Sequence, residues 1–269
     1  MQLADSFFKQ EWKEAPSLAI VLGSGLAALT QELSIEKSLQ NSEIPGAKNS
    51  SVEGHRGEVL LANYQGRKLL CLSGRLHGYE GYSPQEVVFI LRSLKAWGVK
   101  NFILTNSSGS THEAFAPGEV ALIKDHINLT GQNPLTGKEL FSGPRFPDSS
   151  DVYSKNWRRR ILESARKKNL ELKEATYIGV AGPNYETAAE IQMFAKWGAD
   201  IVGMSTVWES LALHQMGARV LGLSLISNFG TGVRDEALDH HDVLKVGRES
   251  FSRFKQIIDV AIESSESSA

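Results

Sequence analysis

A glycine-flanked serine, Ser24, directly follows the apolar run Leu18 to Leu22. There, backbone N–H groups and a hydroxyl can meet a tetrahedral anion such as phosphate, helped by the positive end of a following helix. Arg75 and His77 stand at alternating positions; if the strand before them continues they face one way, so a guanidinium fork and an imidazole can share one oxyanion. Ser205 adds a hydroxyl behind a further apolar run. Each also has a purely structural use: Gly23-Ser24-Gly25 as a tight turn, Arg75 in an ion pair, His77 as a polar residue at a core edge, Ser205 as a helix cap. Placement favours a site. Gly23-Ser24-Gly25, Arg75 to Tyr79, Asn106 to Ser110, Gly182 to Glu186, Met204 to Thr206 and Ser227-Asn228 all fall at the carboxyl ends of predicted strands, where α/β folds bind ligands.

Bringing those stretches together requires a particular frame. Strand-length apolar runs alternate with segments of helical spacing, which predicts an α/β fold: a single domain over 1–269 with a central mixed, mostly parallel twisted sheet flanked by helices. Leu18 to Leu22 reads as a buried strand and Leu26 to Leu33 as helical. Glu58 to Tyr64 and Lys68 to Leu72 flank Gln65-Gly66 as a hairpin. Ser83-Pro84-Gln85-Glu86 is a capping box with proline in the first turn, so a helix runs from there to a stop at Gly98. Asn101 to Thr105 is a strand feeding the small residues Asn106 to Ser110. Thr187 to Trp197 is a helix stopped by Gly198, Asp200 to Met204 a strand, Ala218 to Ile226 the last strand, and Val243 to Ile262 one closing amphipathic helix. From Ser264 to Ala269 the chain is a polar tail with little apolar surface to order it.

With 269 residues, 41% hydrophobic and 22% charged, the chain can bury a sizeable core. A net charge of −2 gives no field to gather nucleic acid or anionic lipid, and Arg158-Arg159-Arg160 reads as a solvated helix face. No apolar stretch approaches the ~20 residues that span a bilayer, and Met1 to Lys13 is too polar for a signal sequence, so a cytoplasmic protein is expected. Cys71, the only cysteine, lies in an apolar run and reads as a core residue. The seven histidines include no metal-binding spacing, His240 and His241 being adjacent, and no lysine follows a glycine-rich turn in a nucleotide-triphosphate pattern. Neither a metal nor an organic cofactor is expected.

The strings VLGSGL from Val21, GRLHGYEGY from Gly74, DHINLTGQNPL from Asp125, AGPNYET from Ala181 and GADIVGMSTV from Gly198 resemble, in order, those of the purine nucleoside phosphorylase family, in its trimeric branch specific for 6-oxopurines. The resemblance runs from about Leu18 to Leu244. It implies phosphorolysis of purine nucleosides such as inosine and guanosine to the free base and ribose 1-phosphate, with inorganic phosphate as co-substrate. By this resemblance Ser24, Arg75, His77, Ser205 and the backbone around Ser107 hold phosphate; Tyr79, Met204 and His240 line the ribose; and Tyr185, Glu186, Val202, Gly203 and Asn228 surround the base. His77, Glu186 and Asn228 are the implied catalytic groups. Glu186 accepts from the purine N1 hydrogen and Asn228 serves N7 and the 6-oxo oxygen, whereas adenine would leave the carboxylate facing a lone pair. Glu186 can equally be an acid at a helix start, Asn228 a turn residue, and His240 a first-turn residue behind a capping Asp239. The resemblance further implies a homotrimer in which Phe146 reaches a neighbouring site. Glycine-rich Phe229 to Val233 and the segment Ala237 to Asp242 are candidates for a cover over the site, or ordinary surface loops.

Departures from the family pattern are Ser107-Ser108-Gly109-Ser110 where alanines and glycines are usual, Trp208 where proline is usual, and Ser227 where threonine is common. A methylthioadenosine phosphorylase would be expected to carry an acid at position 228. A nucleoside-binding protein without catalysis could dispense with Ser24, Arg75, His77 and Ser205.

Overall fold

The computed structural model describes residues 3–52, 56–138, 143–235 and 240–265, with backbone alone at 240 and 241. In chain order the elements are α1 (Asp5–Trp12), β1 (Leu18–Leu22), β2 (Ser34–Gln40), β3 (Glu58–Tyr64), β4 (Arg67–Ser73), α2 (Pro84–Val87), α3 (Phe89–Trp97), β5 (Asn101–Ser110), β6 (Val120–Asn128), α4 (Lys155–Lys167), β7 (Lys173–Gly179), α5 (Ala188–Lys196), β8 (Ile201–Gly203), α6 (Val207–Gln215), β9 (Arg219–Phe229), α7 (His240–Glu249) and α8 (Phe251–Glu263).

The strands form one mixed sheet of order β2-β3-β4-β1-β5-β8-β7-β6-β9, in which β5 also pairs with β9. Five strands, β5, β8, β7, β6 and β9, therefore close into a ring, and the other four extend from β5 as a wing. Five pairings are parallel, β1 with β4 and β5, β5 with β9, and β7 with β6 and β8. Those of β2–β3, β3–β4, β5–β8 and β6–β9 are antiparallel.

Burial on both faces explains the uninterrupted apolar composition of the inner strands. Along β1, Ala19 and Val21 enter one core with Phe8, Trp97 and Phe102. Leu18, Ile20 and Leu22 enter the other with Trp157, Phe254 and Ile258. Each large side chain buried this way contributes about 1.5–3 kcal/mol. Cys71 is fully buried, and desolvation pushes its thiol up to about 12, as suits an inert core residue.

Several expected elements take a different form. Ala27–Glu32 is a 3-10 helix rather than an α-helix. The helix from the Ser83 box begins as its sequence dictates, the Glu86 carboxylate accepting from Ser83 N at 2.9 Å. It breaks at Val88, which is fully buried in a small cluster with Trp208 and Ala212, and ends at Gly98 with φ of 138°. The closing helix is two helices, interrupted at Ser250 with φ −93° and ψ 1°. Asn106 to Ser110 continue β5 instead of following it. Ser264 and Ser265 are buried: Trp157 Nε1 donates to Ser264 Oγ at 3.2 Å and Arg67 to Ser265 Oγ at 2.9 Å. Within the arginine run, Arg160 Nε donates to Ser264 O and Arg158 pairs with Glu174, so only Arg159 is exposed. No described helix is long and apolar enough to cross a membrane.

Candidate active site

One wall of the cleft begins where β1 runs into Gly23. A Cβ at Gly23 would lie 2.7 Å from Asn106 Cα and 2.8 Å from Thr105 O, so only glycine lets the turn lie flat on β5. Side chains fasten it there. Thr105 Oγ1 accepts from Gly23 N at 3.1 Å and donates to Val21 O at 2.8 Å, while Ser107 Oγ donates to Ser24 O at 2.7 Å. Gly25, with φ of 76°, completes the turn against α7.

Strand β4 stops at Ser73 and the chain turns at Gly74, whose φ is 104°, yet Arg75 and His77, itself extended (φ −127°, ψ 152°), line the same cleft as Ser24. The Arg75 side chain is 3% exposed. Its Nε donates to Glu209 Oε1 at 2.9 Å, and its Nη1 donates to Thr105 O at 2.5 Å and to Ser205 Oγ at 3.5 Å. His77 Nδ1 lies 3.2 Å from Glu80 Oε1, which also accepts from His77 N at 2.8 Å. Burial pushes the Glu80 carboxyl up, but donors from Ser51 and His77 outweigh it and hold the group below its ordinary value. An ionised Glu80 only accepts, so Nδ1 is the protonated ring nitrogen. Arg75 and His77 thus each have a carboxylate behind them. Tyr79 stacks on His77 at 4.6 Å between centroids, and desolvation, reinforced by Glu80, pushes its phenol up to about 12.

Another wall is built from β8, β9 and the segment before α5. Thr187 caps α5, its hydroxyl accepting from Glu190 N and the Glu190 carboxylate accepting from Thr187 N at 2.8 Å. That capping box presents Glu186, 8% exposed, to the cleft. Burial first, then repulsion from Glu190, raises the Glu186 pKa. Asn228 lies near the end of β9, where the Ser227 hydroxyl lies 2.6 Å from its Oδ1 and its Nδ2 donates to Phe229 O at 3.0 Å. Gly109 makes room for it, since a Cβ there would stand 3.0 Å from that Nδ2.

Ser24, Arg75, His77, Tyr79, Ser107 and Ser205 line a single cleft. Tyr185, Glu186, Val202, Gly203, Met204 and Asn228 line the same cleft. The side chain of His240 and the stretch 236–239 are outside the described residues, but α7 starts at His240 and its Val243 borders the cleft. Phe146 is 89% exposed and does not line the cleft of its own chain. Sequence reasoning passed over Glu80 and Glu209, and named Asn106 only as the start of the stretch Asn106 to Ser110. Glu80 had a signal, an acid three residues after His77; Glu209, brought from 134 residues away, had none. Trp208 fills the space over Gly78, where a Cβ would be 2.6 Å from its ring, and its Nε1 donates to Thr130 Oγ1 at 2.9 Å.

Residues 17–263, which contain every cleft residue named above, match the model of the phosphorylase superfamily. The chain belongs to the phosphorylase superfamily. It is 39% identical over 259 residues to purine nucleoside phosphorylase 1 of Bacillus subtilis (strain 168), covering 96% of each chain. Its identity to purine nucleoside phosphorylase 1 of Geobacillus stearothermophilus is 39% over 262 residues, again 96% of each. To the purine nucleoside phosphorylase of Rattus norvegicus it is 38% over 274 residues, 98% of this chain and 94% of that one. The family resemblance carried by the five strings therefore extends across nearly the whole chain.

Proposed function

We propose that the protein is a cytoplasmic purine nucleoside phosphorylase that cleaves 6-oxopurine nucleosides with inorganic phosphate. The observation that carries this is the cleft itself. Ser24, Arg75, His77 and Ser205 line the same cleft as Tyr79, Met204, Glu186 and Asn228. A nucleoside spans that arrangement with its sugar beside the anion site.

Phosphate oxygen attacks the anomeric carbon as the bond from that carbon to purine N9 breaks and its electron pair passes to the base. Bound phosphate stabilises the positive charge growing on the ribose. Asn228 stabilises the negative charge on the purine: one Nδ2 hydrogen is committed to Phe229 O, and the second serves N7. Glu186 accepts from N1–H, and in guanine from the exocyclic amine. No covalent enzyme intermediate is needed; positioning and electrostatics do the work. Because Arg75 and His77 are each backed by a carboxylate, phosphate is recognised by directed hydrogen bonds more than by net positive charge.

A homotrimer completed by Phe146 from a neighbouring copy is part of the proposal. Its exposure supports the role, as does an apolar cavity beside Tyr79 and Met204, walled by Leu76, Val87, Val180 and Trp208. The test is release of hypoxanthine from inosine with and without phosphate, beside adenosine and an Asn228→Asp variant. Phosphate-dependent release from inosine, little from adenosine, and a variant shifted toward the 6-amino purine are expected; no release under either condition refutes the reading.

A further inference from the structure

Along the wall of the cleft the structure holds a continuous line of mostly buried polar side chains that ends at Ser205. Ser108 Oγ is 2.6 Å from Ser224 Oγ, and Ser224 Oγ donates to Asn106 Oδ1 at 2.6 Å. Asn106 Nδ2 donates to Thr206 Oγ1 at 2.8 Å, and Thr206 Oγ1 is 3.1 Å from Ser205 Oγ. Ser108, Ser224, Asn106 and Thr206 are all at most 3% exposed. Thr206 has φ of 69°, a conformation a β-branched residue adopts only when its surroundings impose it.

The direction of the line follows from counting hydrogens. A carboxamide oxygen only accepts, and each hydroxyl has one hydrogen to give. Ser224 spends its hydrogen on Asn106, so it accepts from Ser108. Thr206 accepts from Asn106 and gives its own hydrogen to Ser205. Ser205 Oγ, already accepting from Thr206 and from Arg75 Nη1, is left with its hydrogen for a group in the cleft. Turning the Asn106 amide over would reverse every bond. Ser205 would then aim a lone pair at the anion, and the Ser108 hydrogen would have no acceptor among the described residues.

We infer that Ser108, Ser224, Asn106 and Thr206 form a one-directional relay that fixes Ser205 as a hydrogen-bond donor to phosphate. Asn106 and Ser108 border the cleft and Thr206 the cavity beside it, and the four are assigned as positioning residues that act through Ser205. The inference rests on the reading of the cleft as a phosphate and nucleoside site. Ser108 is the terminal donor that sets the direction, which gives a use to one of the serines that depart from the family pattern.

The test is a double-mutant cycle between Thr206→Val and Ser205→Ala, read as phosphate Kd by calorimetry on the ligand-free protein and as KM for phosphate and inosine in turnover. Thr206→Val keeps the β-branched shape and removes the relay hydroxyl. It is expected to weaken phosphate about tenfold, the scale of one hydrogen bond to a charged group, with inosine KM changed less than twofold. Thr206→Ser restores phosphate affinity, and in the Ser205→Ala background Thr206→Val has no further effect. Should Thr206→Val fail to fold, Ser108→Ala is expected to weaken phosphate about threefold, the scale of one neutral hydrogen bond felt at a distance, and this too vanishes in the Ser205→Ala background. Additive effects in the cycle, a parallel rise in inosine KM, or unchanged phosphate affinity overturn the relay while leaving the functional reading intact. No phosphate binding to the unsubstituted protein overturns both.

Discussion

Replacing Glu186 by glutamine separates what this carboxylate does for the base from what it does for the fold. Glu186 is 8% exposed and its pKa is raised, by burial first and then by Glu190. A hydrogen bond to a charged group contributes about 1.5–3 kcal/mol. Losing the charge at the purine N1 position therefore lowers kcat/KM for inosine by about 10- to 150-fold, at roughly tenfold per 1.4 kcal/mol. Stability moves the other way. A raised folded-state pKa means that the favourable contribution of the neutral acid is present below the unfolded value, near 4.5, and is lost as pH rises through the folded value. At pH 7 the ligand-free protein carries the cost of a buried carboxylate, which glutamine removes. Glu186→Gln is thus expected to melt at or above the unsubstituted protein at pH 7, the difference closing as pH falls toward 4.5. Inosine phosphorolysis at saturating phosphate and thermal unfolding across that pH range read both effects. A kcat/KM within threefold of the unsubstituted enzyme, or a clear fall in Tm, would show that Glu186 serves the start of α5 and not the base.

Three further outcomes follow from the same geometry. Glu209→Ala leaves the Arg75 guanidinium buried without its carboxylate, its side chain being only 3% exposed, and should cost about 3–5 kcal/mol in urea unfolding. Gly247→Ala places a Cβ 2.5 Å from Gly25 O and 2.8 Å from Gly25 Cα. Backbone cannot step aside cheaply, so this variant should lose about 1–3 kcal/mol, although alanine gains about 1 kcal/mol in helix propensity, and its phosphate KM should rise as the Ser24 turn is displaced. His126, which bonds Tyr153 Oη at 3.0 Å, is held down at about 4 by desolvation, against the opposing pull of Asp125. Its contribution to stability is present above about 6.5 and lost as pH falls toward 4. His126→Gln should flatten acid unfolding over that window by on the order of 2 kcal/mol.

Local chemistry made much of this molecule readable. The β1 run, the Ser83 and Thr187 capping boxes and the helix stop at Gly98 are decided by neighbouring residues, and the structure has each of them. The same holds for the cleft residues that end strands, which an α/β frame must bring to one side. What escaped depends on contacts distant in sequence. Val88 ends α2 because Trp208, 120 positions later, helps to bury it. Ser264 and Ser265, polar and terminal, are ordered by Trp157, Arg160 and Arg67 rather than by apolar surface of their own. The small residues Asn106 to Ser110 read as a stretch beyond the strand that feeds them, but they continue it because β9 pairs with them to the end, from Asn106↔Ser224 to Ser110↔Phe229. Only that register brings Ser108, Ser224 and Asn106 together, and only the fold brings Glu209 to Arg75.

The most direct test of the account follows the phosphorus itself: isotopically labelled phosphate is incubated with inosine and the purified protein, and the sugar product is identified. Label recovered in ribose 1-phosphate, in step with hypoxanthine release and absent when Ser205 and Arg75 are both replaced by alanine, is the predicted result. Free ribose formed at the same rate without phosphate would contradict the account, because water rather than phosphate would then be attacking the anomeric carbon.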